Sequence, residues 1–153
     1  MSSDSTFIWE PHPDHPGWIR YELSTPERYN RAVLGQLLIR AESEAQCRVR
    51  LIPRELHVNS ANRIHGGITL GLIDVALFAA AYALRGIPVS GSVTVDLQTQ
   101  FIGAGDAVRP IDAVVEILRE TRRMVFLRGL VQQDDDLVAS FSATTRKPVE
   151  LRA

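Results

Sequence analysis

This sequence of 153 residues has a single cysteine, no excess of either charge, no internal repeat and no segment of low complexity. With only Cys47, an intrachain disulfide and a cysteine-rich zinc site are both excluded, and we expect no metal. The formal net charge of −1 argues against a nucleic-acid or membrane surface as a partner. The N-terminus carries no basic segment followed by an apolar one, so we expect a cytoplasmic protein.

A chain of this length is most often one domain with its own core. Three prolines interrupt regular structure near the N-terminus: Pro11, Pro13 and Pro16. We therefore predict an irregular arm over residues 1–25, laid over a neighbouring element through Trp9 and Trp18. A single domain is predicted over residues 26–150.

The remaining chain alternates between helical and extended patterns. Thr25 as a cap and Pro26 in the first turn predict a short helix to about Leu34, which ends at Gly35. Alternating apolar and polar residues predict six strands, at 37–42, 45–56, 93–102, 107–119, 123–132 and 137–146. The long helix between the second and third of these strands leads us to predict an α+β fold, in which a curved antiparallel sheet wraps that helix.

One acid interrupts the long helix, which opens with His65-Gly66-Gly67 and runs to Leu84. The helix is apolar nearly all round, which is typical of a core helix, and we take its length as an argument against a membrane span. A buried carboxylate such as Asp74 is costly unless it is paired or belongs to a site. The glycines offer backbone N–H groups at the positive end of the helix, where an oxyanion can bind. Together these features indicate acyl chemistry.

The spacing of these groups has a consequence for assembly. Gly66 and Asp74 are eight positions apart, about 12 Å along a helix, so one substrate carbonyl cannot touch both in a single chain. Two antiparallel copies of the helix would bring Gly66 of one chain to Asp74 of the other. The spacing therefore predicts a symmetric dimer with two shared sites. The alternative is that the glycines only allow close packing and that Asp74 caps a neighbouring loop.

Two blocks of sequence carry a resemblance to a known family. The first is Asn59-x-x-Asn62-x-x-His65-Gly66-Gly67 followed by Asp74, and the second is the strand Val93 to Ile102 followed by Gly105-Asp106. In this order and spacing, over about residues 28–147, the chain resembles the hotdog-fold acyl-CoA thioesterases of the PaaI-like, phenylacetate-degradation type. Asn62 stands where that family usually has glycine, and asparagine tolerates the left-handed backbone that such a turn needs.

The resemblance implies a mechanism for the hydrolysis of an acyl- or aryl-CoA thioester. The backbone N–H of Gly66 would polarise the thioester carbonyl, and Asp74 of the opposite subunit would act as general base or nucleophile. Asn59 would orient the water or the acid, and Thr94 would place a hydroxyl near the acid. His65 would hold the helix start or contact the thioester directly.

The resemblance also implies a hotdog fold, dimers that assemble into tetramers, and no cofactor other than coenzyme A as part of the substrate. We expect substrate contacts from five residues: Arg63, Gly67, Leu77, Phe78 and Tyr82. Five basic residues are candidates for the CoA phosphates: Arg63, Arg122, Arg123, Arg146 and Lys147.

Two other functions stay open on the sequence. A non-catalytic acyl-CoA-binding hotdog oligomer would keep Gly66 without needing an acid at position 74. A hydratase or dehydratase of the same fold would carry a different loop signature, which this chain lacks. The residues do not identify the acyl group, nor do they distinguish CoA from acyl-carrier-protein thioesters.

Overall fold

In the computed structural model, which describes residues 6–149, one long helix packs against a single curved sheet. The helix α1 spans Gly66–Arg85, and it ends at Gly86, whose φ of 64° is the left-handed conformation that glycine adopts without strain. The buried residues of α1 form the core together with the inward side chains of the sheet.

The length of α1 does not exclude a membrane span, contrary to the argument from sequence. At 20 residues, α1 is long and apolar enough to cross a membrane, but 56% of its most apolar 18-residue stretch is buried inside the protein. The sheet covers this apolar surface, as expected of a core helix.

The sheet contains eight strands: β1 (Phe7–Pro11), β2 (Ile19–Leu23), β3 (Leu37–Ala41), β4 (Gln46–Leu51), β5 (Val93–Phe101), β6 (Ile111–Glu120), β7 (Met124–Gln133) and β8 (Asp136–Arg146). Every neighbouring pair is antiparallel, and the spatial order is β1-β2-β3-β4-β6-β7-β8-β5. The predicted α+β fold with a helix wrapped by an antiparallel sheet is confirmed. Strands β1 and β5 form the two edges.

The predicted irregular arm is wrong for two of its segments. Strands β1 and β2 pair with each other from Phe7↔Leu23 to Pro11↔Ile19, and β2 continues onto β3. The prolines interrupt only the connection between them, since Pro11 is the last residue of β1 and Pro13 and Pro16 lie in the turn. Residues 1–5 lie outside the described part of the chain, and the single domain over 26–150 stays a prediction.

Two other boundaries also differ from the prediction. The helix predicted over 25–34 is reduced to a short turn of π-helix, Asn30–Leu34, with no capping by a side chain. The strand predicted over 45–56 ends at Leu51, because Pro53 lacks the N–H that a continuing ladder needs, and a 3-10 turn, Glu55–His57, follows. The single cysteine, Cys47, is buried in β4, and burial raises the pKa of its thiol to about 12, which indicates a structural residue.

Candidate active site

The loop before α1 is tied together by its own side chains. The Asn59 Oδ1 accepts hydrogen bonds from the backbone N–H groups of Ala61 (2.9 Å) and Arg63 (3.1 Å). Asn62 has a φ of 57°, which confirms that asparagine takes the left-handed position of this turn. The side-chain Oδ1 of Asn59 is thus not free to orient a water, whereas its side-chain Nδ2 has no hydrogen-bond partner among residues 6–149.

His65 caps the start of α1. Its Nδ1 accepts a hydrogen bond from the Gly67 N–H at 2.8 Å, so the His65 side chain holds the helix start and this Gly67 N–H is occupied. The Gly66 N–H, by contrast, has no acceptor within residues 6–149. A Cβ built on Gly66 would lie 3.5 Å from the ring of Phe101, which places that edge-strand aromatic beside the open N–H. The helix start therefore presents one unoccupied donor next to an apolar ring.

A second histidine, His57, supports the same loop from inside. Its Nδ1 accepts from the Arg54 N–H at 3.0 Å, so its Nε2 carries the proton and donates to the Val33 carbonyl at 2.6 Å. The His57 carbonyl accepts from the His65 N–H at 2.8 Å. His57 is fully buried, and this burial lowers the pKa of its imidazole. His57 therefore joins the segment around Val33 to the start of α1 as a neutral side chain.

We expect the stability of the protein to fall as the pH falls below about 6.5, the pKa of an unperturbed histidine. The unfolded chain binds a proton at position 57 in this range, whereas the folded chain, with its lowered pKa, does not. The free energy of unfolding should therefore decrease by up to about 1.4 kcal/mol per pH unit and level off below the folded pKa.

Urea unfolding between pH 7.5 and 5.0 measures this dependence. The difference in free energy between wild type and His57→Gln isolates the contribution of His57 from that of the carboxylates. A wild-type curve parallel to that of His57→Gln over the whole range would contradict the prediction.

Asp74 lies on the outer side of α1 and is bound by a side chain of β5. The Thr94 hydroxyl donates to the Asp74 Oδ1 at 2.6 Å. Simple alternation along β5 would place the Thr94 side chain on the face of the strand that does not carry Leu97 and Thr99. A bulge between Thr94 and Asp96 shifts the register, so Thr94 turns to the helix side instead. The nearby hydroxyl of Ser92 does not reach Asp74, because it donates to the Pro88 carbonyl at 2.6 Å.

The residues expected to contact substrate are not all on this side of α1. Phe78 is half-buried and Tyr82 is 41% exposed, and both follow Asp74 at intervals of four residues. Leu77 is fully buried against the sheet, so the structure does not bring it to the face that carries Asp74. Arg63 is exposed and forms a backbone bridge with Asp106 beside the start of α1.

The sequence of the chain matches the family model named acyl-CoA thioesterase N-terminal domain over residues 54–146, more than half of its length. The chain belongs to this acyl-CoA thioesterase family. It is a hotdog-fold thioester hydrolase, as the two sequence blocks predicted. The matched span includes the loop, α1 and strands β5 to β8.

Individual relatives of this thioesterase agree with the family. A Pseudomonas aeruginosa protein named "Putative esterase PA0474" is 29% identical over 76% of this chain and 86% of its own. Thioesterase superfamily member 2 from zebrafish has a TM-score of 0.68 at 23% identity, covering 81% of this chain and 88% of its own. The PaaI protein of E. coli has a TM-score of 0.67 at 18% identity, covering 80% and 86%. The two structures show the same fold.

Two aromatic residues lie at the site of this thioesterase without having been predicted there: Tyr29, which the sequence patterns did not single out, and Trp9, which was expected only to cover a neighbouring element. Tyr29 lies on the exposed side of α1, where a Cβ at Gly71 would overlap the Tyr29 hydroxyl. Trp9 packs its ring edge-on to Tyr82, with 4.8 Å between centroids. Tyr29 precedes the short helical turn, and Trp9 lies on β1. Alternation of Phe7, Trp9, Ile19 and Tyr21 was the available signal for strands in this region.

Proposed function

We propose that this protein hydrolyses acyl-CoA thioesters at sites shared between two subunits, with Gly66 from one subunit and Asp74 from the other. The observation that carries the proposal is the position of Asp74, hydrogen-bonded by Thr94 on the side of α1 that the sheet leaves open. A carboxylate held there is accessible to a second copy of the chain. The open N–H of Gly66, eight residues before Asp74 on the same helix, is the group that would meet the Asp74 carboxylate of the second copy.

The uncovered surfaces support a dimer. Strand β5 is an edge of the sheet, and three apolar side chains on it are exposed: Val93, Val95 and Phe101. An exposed edge strand with apolar side chains favours pairing with another chain. Pairing two copies across a two-fold axis would cover β5 and the open side of α1 together. We further propose that two dimers form a tetramer through the outer face of the sheet, where Phe126 and Leu130 are exposed.

In the proposed reaction, the thioester carbonyl oxygen accepts a hydrogen bond from the Gly66 N–H, which stabilises the negative charge of the tetrahedral intermediate. Thr94 occupies Oδ1 of Asp74 and leaves Oδ2 for the reacting group. As a general base, Asp74 takes a proton from water while the water oxygen attacks the carbonyl carbon. The C–S bond then breaks, and the proton passes to the leaving thiolate. As a nucleophile, Asp74 would attack the carbonyl itself and form a mixed anhydride that water opens.

A basic corner of the sheet supports CoA as the thiol component. It consists of Arg122, Arg123, Arg146 and Lys147, at the β6–β7 turn and the end of β8. Arg146 pairs in register with Val93, the residue before Thr94. The basic corner therefore begins next to Thr94, whose hydroxyl binds Asp74. Lys147 pairs with Glu120, whereas the three arginines have no acidic partner among residues 6–149. These arginines are suited to phosphate groups.

We expect the double substitution Arg123→Ala/Arg146→Ala to raise KM for an acyl-CoA by about tenfold or more, with little change in kcat. A charge-assisted hydrogen bond to phosphate contributes about 1.5–3 kcal/mol to the free energy of substrate binding, and a bond exposed to water contributes less. The same acyl group on N-acetylcysteamine, which has no phosphate, should show an unchanged KM. Arg28→Ala serves as the control, because Arg28 is an exposed arginine that is distant in sequence from the basic corner. An equal change in KM for the CoA thioester and the N-acetylcysteamine thioester would contradict a phosphate contact.

The overall test is thiol release from a panel of acyl-CoA substrates, from acetyl to palmitoyl and including phenylacetyl, together with light scattering to measure the oligomer. Thiol release with formation of free acid supports the hydrolase. Binding of acyl-CoA without thiol release would favour the non-catalytic binder. Conversion of an enoyl-CoA with the thioester intact would favour a hydratase. A monomer with full activity would contradict the shared sites.

A further inference from the structure

The open side of α1 continues beyond Asp74 as an apolar strip. Asp74, Phe78 and Tyr82 share this side because they are spaced by four residues. The strip extends about 12 Å from Asp74 to Tyr82 at 1.5 Å per residue. It leads away from the helix start toward the end of α1. An acyl group bound at Asp74 therefore has an apolar surface available in this direction.

In the opposite direction, Tyr29 occupies the same side of the helix. A Cβ on Gly71 would overlap the Tyr29 hydroxyl and lie 3.3 Å from the adjoining ring carbon, so the ring rests on the bare backbone. The segment that follows Tyr29 is anchored at the Val33 carbonyl by the side chains of Arg54 (2.7 Å) and His57 (2.6 Å). Because Tyr29 fills the space one turn before Asp74, an acyl group at Asp74 can extend only toward Phe78 and Tyr82.

The strip ends at a wall of aromatic rings. Trp9 on β1 meets Tyr82 edge-on, with centroids 4.8 Å apart and an angle of 74°. Trp9 also packs edge-on to Tyr21 at 5.5 Å, and Tyr21 is buried beneath it. The hairpin β1–β2 that supplies Trp9 lies outside the 54–146 span matched by the family model. The wall is therefore built from a part of this chain that the family model does not cover.

We propose that Trp9 and Tyr82 form the end wall of the acyl pocket and limit the substrate to a medium-length apolar acyl group. This rests on the proposed function, since Asp74 marks the start of the pocket. The acyl carbons lie along Phe78, and the distal end of the chain stops at the indole of Trp9. Chains longer than the strip meet the wall, whereas shorter chains leave apolar surface of Phe78 and Tyr82 uncovered.

The test compares kcat/KM for hexanoyl-, decanoyl- and palmitoyl-CoA in wild type, Trp9→Ala and Tyr82→Ala. Each additional buried methylene changes kcat/KM by about fourfold, so opening the wall by two or three methylenes should raise the palmitoyl-to-hexanoyl ratio about tenfold or more. Trp9→Ala removes the part of the wall that β1 supplies, and Tyr82→Ala removes the part that α1 supplies. If Trp9→Ala fails to fold, Tyr82→Ala still tests the proposal, since Tyr82 is partly exposed.

Phe7→Ala is the matched control, because the Phe7 ring stacks on Tyr21 in the same hairpin, with centroids 5.4 Å apart. It should weaken the hairpin without changing the chain-length ratio. A wall variant that lowers kcat/KM equally for all three substrates would overturn the proposal. The proposed function is tested separately: if Asp74→Asn abolishes thiol release while the wall variants keep the wild-type ratio, only the wall is wrong. If Asp74→Asn stays active, the site itself is wrong.

Discussion

Replacing Asp74 with asparagine is expected to lower kcat for acyl-CoA hydrolysis by roughly 10²–10⁴-fold. Asparagine keeps the size of the side chain and an oxygen for the Thr94 hydroxyl, which lies 2.6 Å from the carboxylate in the wild type. It removes the negative charge that either takes a proton from water or attacks the carbonyl. The oligomer should be unchanged, so the effect measured by thiol release is chemical and not structural.

Asp96→Asn is the matched control for this substitution. Asp96 is an exposed carboxylate on β5, two residues after Thr94 and past the bulge, and it alternates with the core-facing Leu97, so it lies on the face away from the helix. It should retain wild-type activity. An Asp74→Asn enzyme within threefold of wild type would contradict the assignment of Asp74 to the reaction. Label found on Asp74 after a single turnover in oxygen-labelled water would identify the nucleophilic mechanism, in which water opens the anhydride at the Asp74 carbonyl carbon.

Replacing Gly66 with proline is expected to lower kcat by about 10²–10³-fold, because proline deletes the N–H that would bind the oxyanion. The fold should tolerate the change. Gly66 is the first residue of α1, the position where helices accept proline most readily. The preceding residue, His65, already has a ψ of 135°, the extended conformation that proline requires of its neighbour.

Gly66→Ala separates the loss of the N–H from the addition of atoms. Its Cβ would lie 3.5 Å from the Phe101 ring, an ordinary van der Waals contact, and the N–H would remain. We expect this variant to keep most of its activity while the proline variant loses it. Equal losses in both variants would assign the effect to crowding near Phe101 instead of to the N–H.

Mixing the two inactive variants tests whether the sites are shared between subunits. In a heterodimer of Gly66→Pro and Asp74→Asn chains, one shared site contains both substitutions and the other contains neither. Random association of equal amounts should therefore restore about a quarter of wild-type activity in an isologous dimer. Subunits refolded together and assayed for thiol release provide the measurement. Sites contained within one chain would give no recovery.

Much of the fold was predictable from local patterns. The helix from Gly66 follows from its continuous apolar composition and from Gly86 as a stop, both of which are local properties of the sequence. The four strands after it follow from alternation, and their bounds agree with the structure within a few residues. The N-terminal strands were missed because the prolines there indicated irregular structure, whereas they lie at the end of β1 and in the turn that follows.

The site divides in the same way. The catalytic candidates Gly66 and Asp74 were predicted from sequence alone, and so was a second subunit to bring them together, because the rise of a helix relates two positions along it without further information. Both remain predictions. Three contacts became evident only in the folded chain: the bulge directs Thr94 toward Asp74, Tyr29 covers Gly71, and Trp9 packs against Tyr82. These contacts join residues far apart in the chain. Their distances depend on strand register and on the packing of the sheet around α1, which no local pattern encodes.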